Sequence, residues 1–166
     1  LKKRGLGEIF KSFFNIKSPS VPLFQRGEMR ARPIVNQIVL GMGCDRGASL
    51  ATLEVAVAEA LALAGCELTQ VHALATIDKK NDEHGLLELA RAHRWPLRFY
   101  PAEQLAQVPV PNPSEVVRKY MGTPAVAEAA ALLAAGAGME DLIMEKHKHL
   151  GGDGKNATVS IARMKT

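Results

Sequence analysis

Cysteine is scarce in this chain of 166 residues, with only Cys44 and Cys66 present. Two thiols make no disulfide framework, so a reducing, cytoplasmic setting is the expectation. Long apolar runs are missing too. None approaches the roughly 20 residues that cross a bilayer, and no membrane span is expected. No Gly-x-Ser-x-Gly elbow occurs, which removes the usual signal of a serine hydrolase on an α/β sheet. Aromatic residues are few, at 5%, and four of the five phenylalanines lie before residue 25. What remains is an ordinary 47% of apolar residues, in a length that suits one domain with a real core.

Excess positive charge is absent from most of the chain, despite a net charge of +4. Residues 1–32 carry eight basic and two acidic side chains, whereas the remainder carries 13 basic and 15 acidic ones. The globular part is therefore mildly acidic and offers no footprint for nucleic acid. The opening segment differs in kind. It combines Phe10, Phe13, Phe14 and Phe24 with the turn Ser18-Pro19-Ser20, and it lacks the apolar core of a signal peptide. Residues 1–33 are expected to be a non-native or flexible basic leader, with Met29 just before the regular part. The alternative is a basic-aromatic arm that touches a membrane or partner. Residues 34–166 are the expected domain.

Within that domain Ile34 to Leu40 reads as a buried strand. Ala48 to Ala64 reads as a helix with Leu50, Leu53, Val57 and Leu61 on one stripe, capped by Ser49 and stopped by Gly65. Val71 to Ile77 is a second strand, Glu83 to His93 a second helix, and Leu97 to Tyr100 a third strand. Prolines 101, 109, 111 and 113 mark a loop with one helical turn near Ala102 to Ala106. Ser114 caps another short helix. Thr123 and Pro124 are expected to open a helix that runs to Ala135. Leu142 to Lys146 and Ala157 to Ala162 read as a hairpin with a long glycine-rich tip. The order βαβαβ, then helices, then an antiparallel hairpin predicts a layered α/β/α domain with a mixed sheet.

The segment Gly41-Met42-Gly43-Cys44-Asp45-Arg46-Gly47 is expected to be a tight turn between strand and helix. Free N–H groups at a helix start favour anions, and glycines allow close approach. Arg46 adds a planar fork suited to carboxylate or phosphate. A dinucleotide fingerprint has similar glycines, with Asp78 as the ribose acid, but Asp45 inside the turn opposes a pyrophosphate. Asp78-Lys79-Lys80-Asn81-Asp82-Glu83 follows the second strand and belongs on the same sheet edge. There Lys80 could bind an anion and Glu83 handle a proton, unless the segment is only a solvated turn. Thr123 offers a hydroxyl at a further helix start, and Glu128 sits one turn in, either functional or on an exposed face. His147 and His149 share a strand face, but a third ligand would have to come from His72, His84 or His93, so no metal site is expected. Cys44 could be a nucleophile at a helix N-terminus, or merely a small residue at a strand end.

Gly41 to Gly47, Ile77 to Leu86, Leu97 to Tyr100, Pro113 to Val117, Gly122 to Ala130 and Thr158 to Arg163, taken in order, resemble the CobE/CbiG C-terminal domain family of cobalamin (vitamin B12) biosynthesis. The resemblance covers about residues 34–164. It implies a tetrapyrrole pathway. The two-domain members are cobalt-precorrin-5A hydrolases, which open a ring lactone and release acetaldehyde during ring contraction. The stand-alone relatives have no settled catalytic role, and this chain is similar to them.

The expected ligand is then a precorrin or cobalt-precorrin, with no further cofactor and with other enzymes of that pathway as possible partners. Its carboxylates are expected at Gly41, Gly43, Cys44, Arg46, Gly47, Lys80, Ser114, Gly122 and Thr123. Val108, Val110 and Met121 are expected to give apolar cover. If lactone opening occurs, Glu83 or Glu128 is the base and the N–H groups near Gly43 and Gly47 hold the oxyanion. A nucleotide-binding oxidoreductase domain is the reading from a different class.

Overall fold

The computed structural model describes residues 36–165, so the expected leader at 1–33 lies outside the described residues. The elements run β1 (Ile38–Cys44), α1 (Leu50–Ala64), β2 (Val71–Ile77), α2 (His84–His93), β3 (Leu97–Tyr100), α3 (Ala102–Ala106), α4 (Glu115–Met121), α5 (Ala127–Ala135), β4 (Leu142–Leu150) and β5 (Asn156–Arg163). The strands form one mixed sheet in the order β3-β2-β1-β5-β4. β1, β2 and β3 are parallel to one another, while β5 runs antiparallel to both β1 and β4. This is the α/β/α layering that the sequence predicts.

Alternation along β1 separates two cores. Ile38, Leu40 and Met42 are sealed against the α1 and α2 side, together with Leu53, Val57, Leu61, Leu86 and Leu89. Val39 faces the other layer, where Ala129, Ala130, Ala131 and Leu132 of α5 pack. Each fully buried leucine contributes about 1.5–3 kcal/mol relative to exposure. Helix ends follow the sequence signals. The Ser49 hydroxyl accepts from the Thr52 N–H, Gly65 closes α1 with a left-handed φ of 66°, and the Ser114 hydroxyl accepts from the Val117 N–H.

Two boundaries differ from expectation. β1 begins at Ile38 and continues through Cys44, so Gly41 and Gly43 are strand residues, not turn residues. The reason lies across the chain. A Cβ at Gly41 would overlap the Ala127 carbonyl oxygen and lie 2.9 Å from Ala131 Cβ. Glycine and the alanines of α5 let that helix lie directly on β1. The second difference is the start of α5. The Thr123 hydroxyl is buried and donates to the Ala125 carbonyl at 3.0 Å, so it caps nothing, and the helix begins at Ala127.

The tip of the β4–β5 hairpin is tied to α1. Asp153 accepts from the Ser49 N–H at 3.0 Å with one oxygen and from the Lys155 N–H at 3.0 Å with the other. The Ser49 backbone hydrogen bond, followed by that from Lys155, holds the Asp153 carboxyl well below the usual carboxylate range. A depressed folded value means the contribution is fully present above the unfolded value of about 4 and fades as pH falls below it. Asp153→Ala should therefore melt below the wild type at pH 6. The gap should shrink steadily as pH is lowered from 4 in thermal melts; a gap independent of pH would refute the assignment.

Candidate functional site

The carboxyl ends of β1 and β2 and the start of β5 lie along one edge of the sheet. Crevices outside this edge are the usual binding positions of open α/β sheets. Here the edge opens into a cleft of about 600 Å³. Gly43, Cys44 and Thr158 contribute from the strands, Lys146 and Lys148 from β4, the first turn of α5 from above, and α4 from the side. Gly41 sets this arrangement. Only a residue without a side chain lets the α5 N-terminus sit close enough for its free N–H groups to border the cleft.

Charge in the cleft is unevenly partnered. Lys146 Nζ lies 3.0 Å from Oε1 of Glu128, and Glu128 is 1% exposed. Glu128 is thus a buried cleft residue, not part of an exposed face. Lys80 is only 8% exposed and lines the cleft; Asp45 and Asp82 feel its charge without touching it, and its side chain makes no hydrogen bond or salt bridge with the described residues. Lys148 lines the rim, also without an ion-pair partner among them. A largely buried lysine without a direct ion pair is costly, and an arriving anion lowers the cost.

The loop between β1 and α1 is organised around itself. Arg46 reaches Asp82 Oδ1 at 2.6 Å, Glu83 Oε1 at 3.0 Å and the Lys79 carbonyl at 3.1 Å. Its expected fork for a ligand is therefore already occupied by the 78–83 segment. The Gly47 N–H donates to Glu83 Oε2 at 3.0 Å, and Gly43 is paired in the β1–β5 ladder. The pair of oxyanion donors expected there is not free. Asp45 accepts from both the backbone and side-chain N–H groups of Asn156, which locks the loop to β5. With Gly41 and Gly43 in the strand, the dinucleotide turn is absent as well.

The other expected site residues divide. Ser114 lines the cleft while capping α4. Gly122 ends α4 with a φ of 78°, and the buried Thr123 is bonded to Ala125; neither lines the cleft. Glu83 borders a separate cavity of about 550 Å³ at the starts of α1 and α2. The two expected bases are therefore not partners. Val108 and Val110 pack into the α5 core, and of the expected cover only Met121 reaches the cleft.

Sequence reasoning overlooked Lys146 and Lys148. The bulge between Met144 and His147 aims these lysines at the cleft and sends His147 and His149 to the α1 face. There both rings close on Glu59, at 2.8 and 3.1 Å. Alternate lysines and histidines in Lys146-His147-Lys148-His149 were the only available signal, because strand alternation parts them.

Cys44 ends a strand and is not at a helix start. Burial pushes its thiol up to about 11, against a smaller lowering effect from Lys80. The shift from 9.0 to about 11 cuts the thiolate fraction about a hundredfold. At pH 8, iodoacetamide should label Cys44 far more slowly than free cysteine by intact-mass kinetics. Labelling at the free-thiol rate would contradict this.

The family described as cobalamin synthesis G C-terminus matches residues 38–162. The chain is 37% identical over 125 residues to a cobalt-precorrin-5A hydrolase of Priestia megaterium, covering 75% of this chain and 32% of that protein. It is 36% identical over 101 residues to the protein CobE of a Sinorhizobium species, covering 60% of this chain and 66% of that one. The crystal structure of CobE, a protein from the cobalamin (vitamin B12) biosynthetic pathway, has the same fold. Its TM-score is 0.69 at 34% identity, over 81% of this chain and 98% of that one. The chain spans about a third of the length of the hydrolase relative. No helix among the described residues is long and apolar enough to cross a membrane. The family match runs from the first residue of β1 to the last turn of the β5 ladder, and the chain belongs to the family of the cobalamin synthesis G C-terminus.

Proposed function

We propose that the cleft binds a polycarboxylate tetrapyrrole, a precorrin or cobalt-precorrin, as an accessory to ring contraction in cobalamin biosynthesis. One observation carries this reading. Lys80 is largely buried at the cleft, and its ammonium has no hydrogen bond or salt bridge with the described residues. A ligand carboxylate supplies that salt bridge, and charge-assisted bonds of this kind are the strong ones. Lys148 at the rim and the N–H groups of α5 suit a second carboxylate. The volume of about 600 Å³ is that of an ordinary ligand pocket, and the cleft is open on one side, so a macrocycle enters by one edge.

A second reading, cobalt-precorrin-5A hydrolase activity, draws on the hydrolase relative and on Glu128 in the cleft. Glu128 is ion-paired to Lys146, and the Gly47 donor is engaged by Glu83. Binding therefore ranks above catalysis for this domain.

The test is a spectroscopic titration with a corrin carrying free carboxylates, such as cobyrinic acid, beside its neutral methyl ester. Saturable perturbation of the visible bands by the acid, and none by the ester, is expected. Equal binding of both, or of neither, would sink the reading. Release of acetaldehyde from the lactone substrate would promote the hydrolase.

A further inference from the structure

Helix α4 is unlike the other helices of this domain. None of its seven residues is buried. Val116 and Tyr120, one turn apart, are 68% and 70% exposed, and both border the cleft. Val117 and Met121, on the adjacent stripe, touch the α5 core and border the cleft as well. The helix is held mainly at its ends. The Ser114 N–H donates to the Pro124 carbonyl at 2.9 Å, and Lys79 Nζ donates to the Met121 carbonyl at 3.2 Å. Apolar side chains of this size are normally inside, and two adjacent exposed ones beside a cleft mark a contact surface.

We infer that α4 is the apolar platform of the cleft. It takes the flat, uncharged face of the ligand on Val116 and Tyr120 while Lys80 takes a carboxylate on the ligand's edge. This rests on reading the cleft as the tetrapyrrole site. It adds that the site selects for a planar ring, not merely for carboxylates. The occupant follows from the juxtaposition. An apolar strip on one wall faces cations that make no salt bridge with the described residues, Lys80 at the floor and Lys148 at the rim. A small hydrophilic polyanion would leave the strip wet, and an uncharged ring would leave Lys80 unpaired. A planar ring with acidic arms satisfies both. Tyr120 suits such a face because aromatic rings stack on flat surfaces at low entropic cost. The engaged portion of the ligand is an edge, so α4 and the cations act on the same part of it.

The experiment compares wild type, Tyr120→Ser, Val116→Ser and Lys80→Met with two probes. One is the free-acid corrin and the other is citrate, which carries carboxylates without a ring. Tyr120→Ser should weaken corrin binding about tenfold by loss of apolar and stacking contact, and Val116→Ser by a smaller factor. Neither should alter citrate binding or the salt dependence of corrin binding. Lys80→Met should weaken both probes and reduce the salt dependence. Circular dichroism spectra should match for all four proteins, since neither Val116 nor Tyr120 is a core residue.

Unchanged corrin affinity in both α4 variants, with loss in Lys80→Met, would overturn the platform and leave the cleft reading standing. Failure of the wild type to bind corrin would overturn both. A wild-type chain that self-associates through the strip, with Tyr120→Ser restoring the monomer in sedimentation, would assign the strip to a second copy and overturn the platform.

Discussion

Lys80→Met is expected to lower the affinity for a polycarboxylate corrin by about a hundredfold or more while raising the melting temperature of the free domain. Both signs come from one fact. Lys80 is 8% exposed as a residue, and its side chain makes no hydrogen bond or salt bridge with the described residues. In the free protein Asp45 and Asp82 act on its charge only from a distance, which offsets the cost of burial less than a direct ion pair would. Methionine has similar length and no charge, so the substitution removes the penalty and fills the same space. In the complex the balance reverses. Removing one member of a buried ion pair costs about 3–5 kcal/mol, and about 2.7 kcal/mol already corresponds to a hundredfold.

A variant more stable and less able to bind is the usual outcome where a site stores unfavourable charge for its ligand. Titration followed by visible absorption measures the first effect, and a thermal melt without ligand measures the second. Lys80→Arg should keep a cation but lose part of the affinity, because the longer planar head does not fit a site shaped for an ammonium. Full corrin affinity in Lys80→Met would remove Lys80 from the site.

The second large effect is on stability. Gly41→Val is expected to destabilise the domain by about 3 kcal/mol or more, by overpacking against a backbone that cannot rotate away. A Cβ at Gly41 would overlap the Ala127 carbonyl, and Ala131 Cβ would lie 2.9 Å away. Relief requires α5 to lift from β1, which opens the α5 core and withdraws Ala127 and Glu128 from the cleft. Gly43→Ala provides the control in the same strand and on the same face. There the nearest atom to a new Cβ is Thr158 Cβ at 3.7 Å, an ordinary contact. Alanine at Gly43 should stay within about 1 kcal/mol of wild type, with a gain possible from the less flexible unfolded chain. Urea unfolding of the three proteins measures the contrast. Equal midpoints for Gly41→Val and wild type would refute the packing argument.

These two glycines also show where sequence reading stops. Their spacing before an alanine-rich helix resembles a phosphate-binding turn, and local preference supports that reading. The structure makes both of them strand residues, and the constraint on Gly41 comes from α5, more than 80 residues later in the chain. Thr123 fails for a related reason. Thr-Pro before an alanine run is a good local start signal, yet the hydroxyl is buried and turns to Ala125. The caps at Ser49 and Ser114, the stop at Gly65 and the short helix at Ala102–Ala106 are legible because capping and proline effects act within one helical turn. The place of Lys80 at the carboxyl edge is legible because it follows a parallel strand. Its lack of a salt bridge is not.

By itself, then, the sequence determined the order of strands and helices, the mixed α/β/α layering and the family to which those segments belong. Each of these depends on periodicity, caps and ordered motifs carried by neighbouring residues. Tertiary structure alone decided which charges are free. It closed Arg46 on Asp82 and Glu83, paired Lys146 with Glu128, turned Lys146 and Lys148 towards the cleft at a bulge, and left Lys80 without a salt bridge among the described residues. Whether a charge is satisfied depends on groups brought within a few ångströms by folding, and on the water excluded there. Neither is written in the local run of residues.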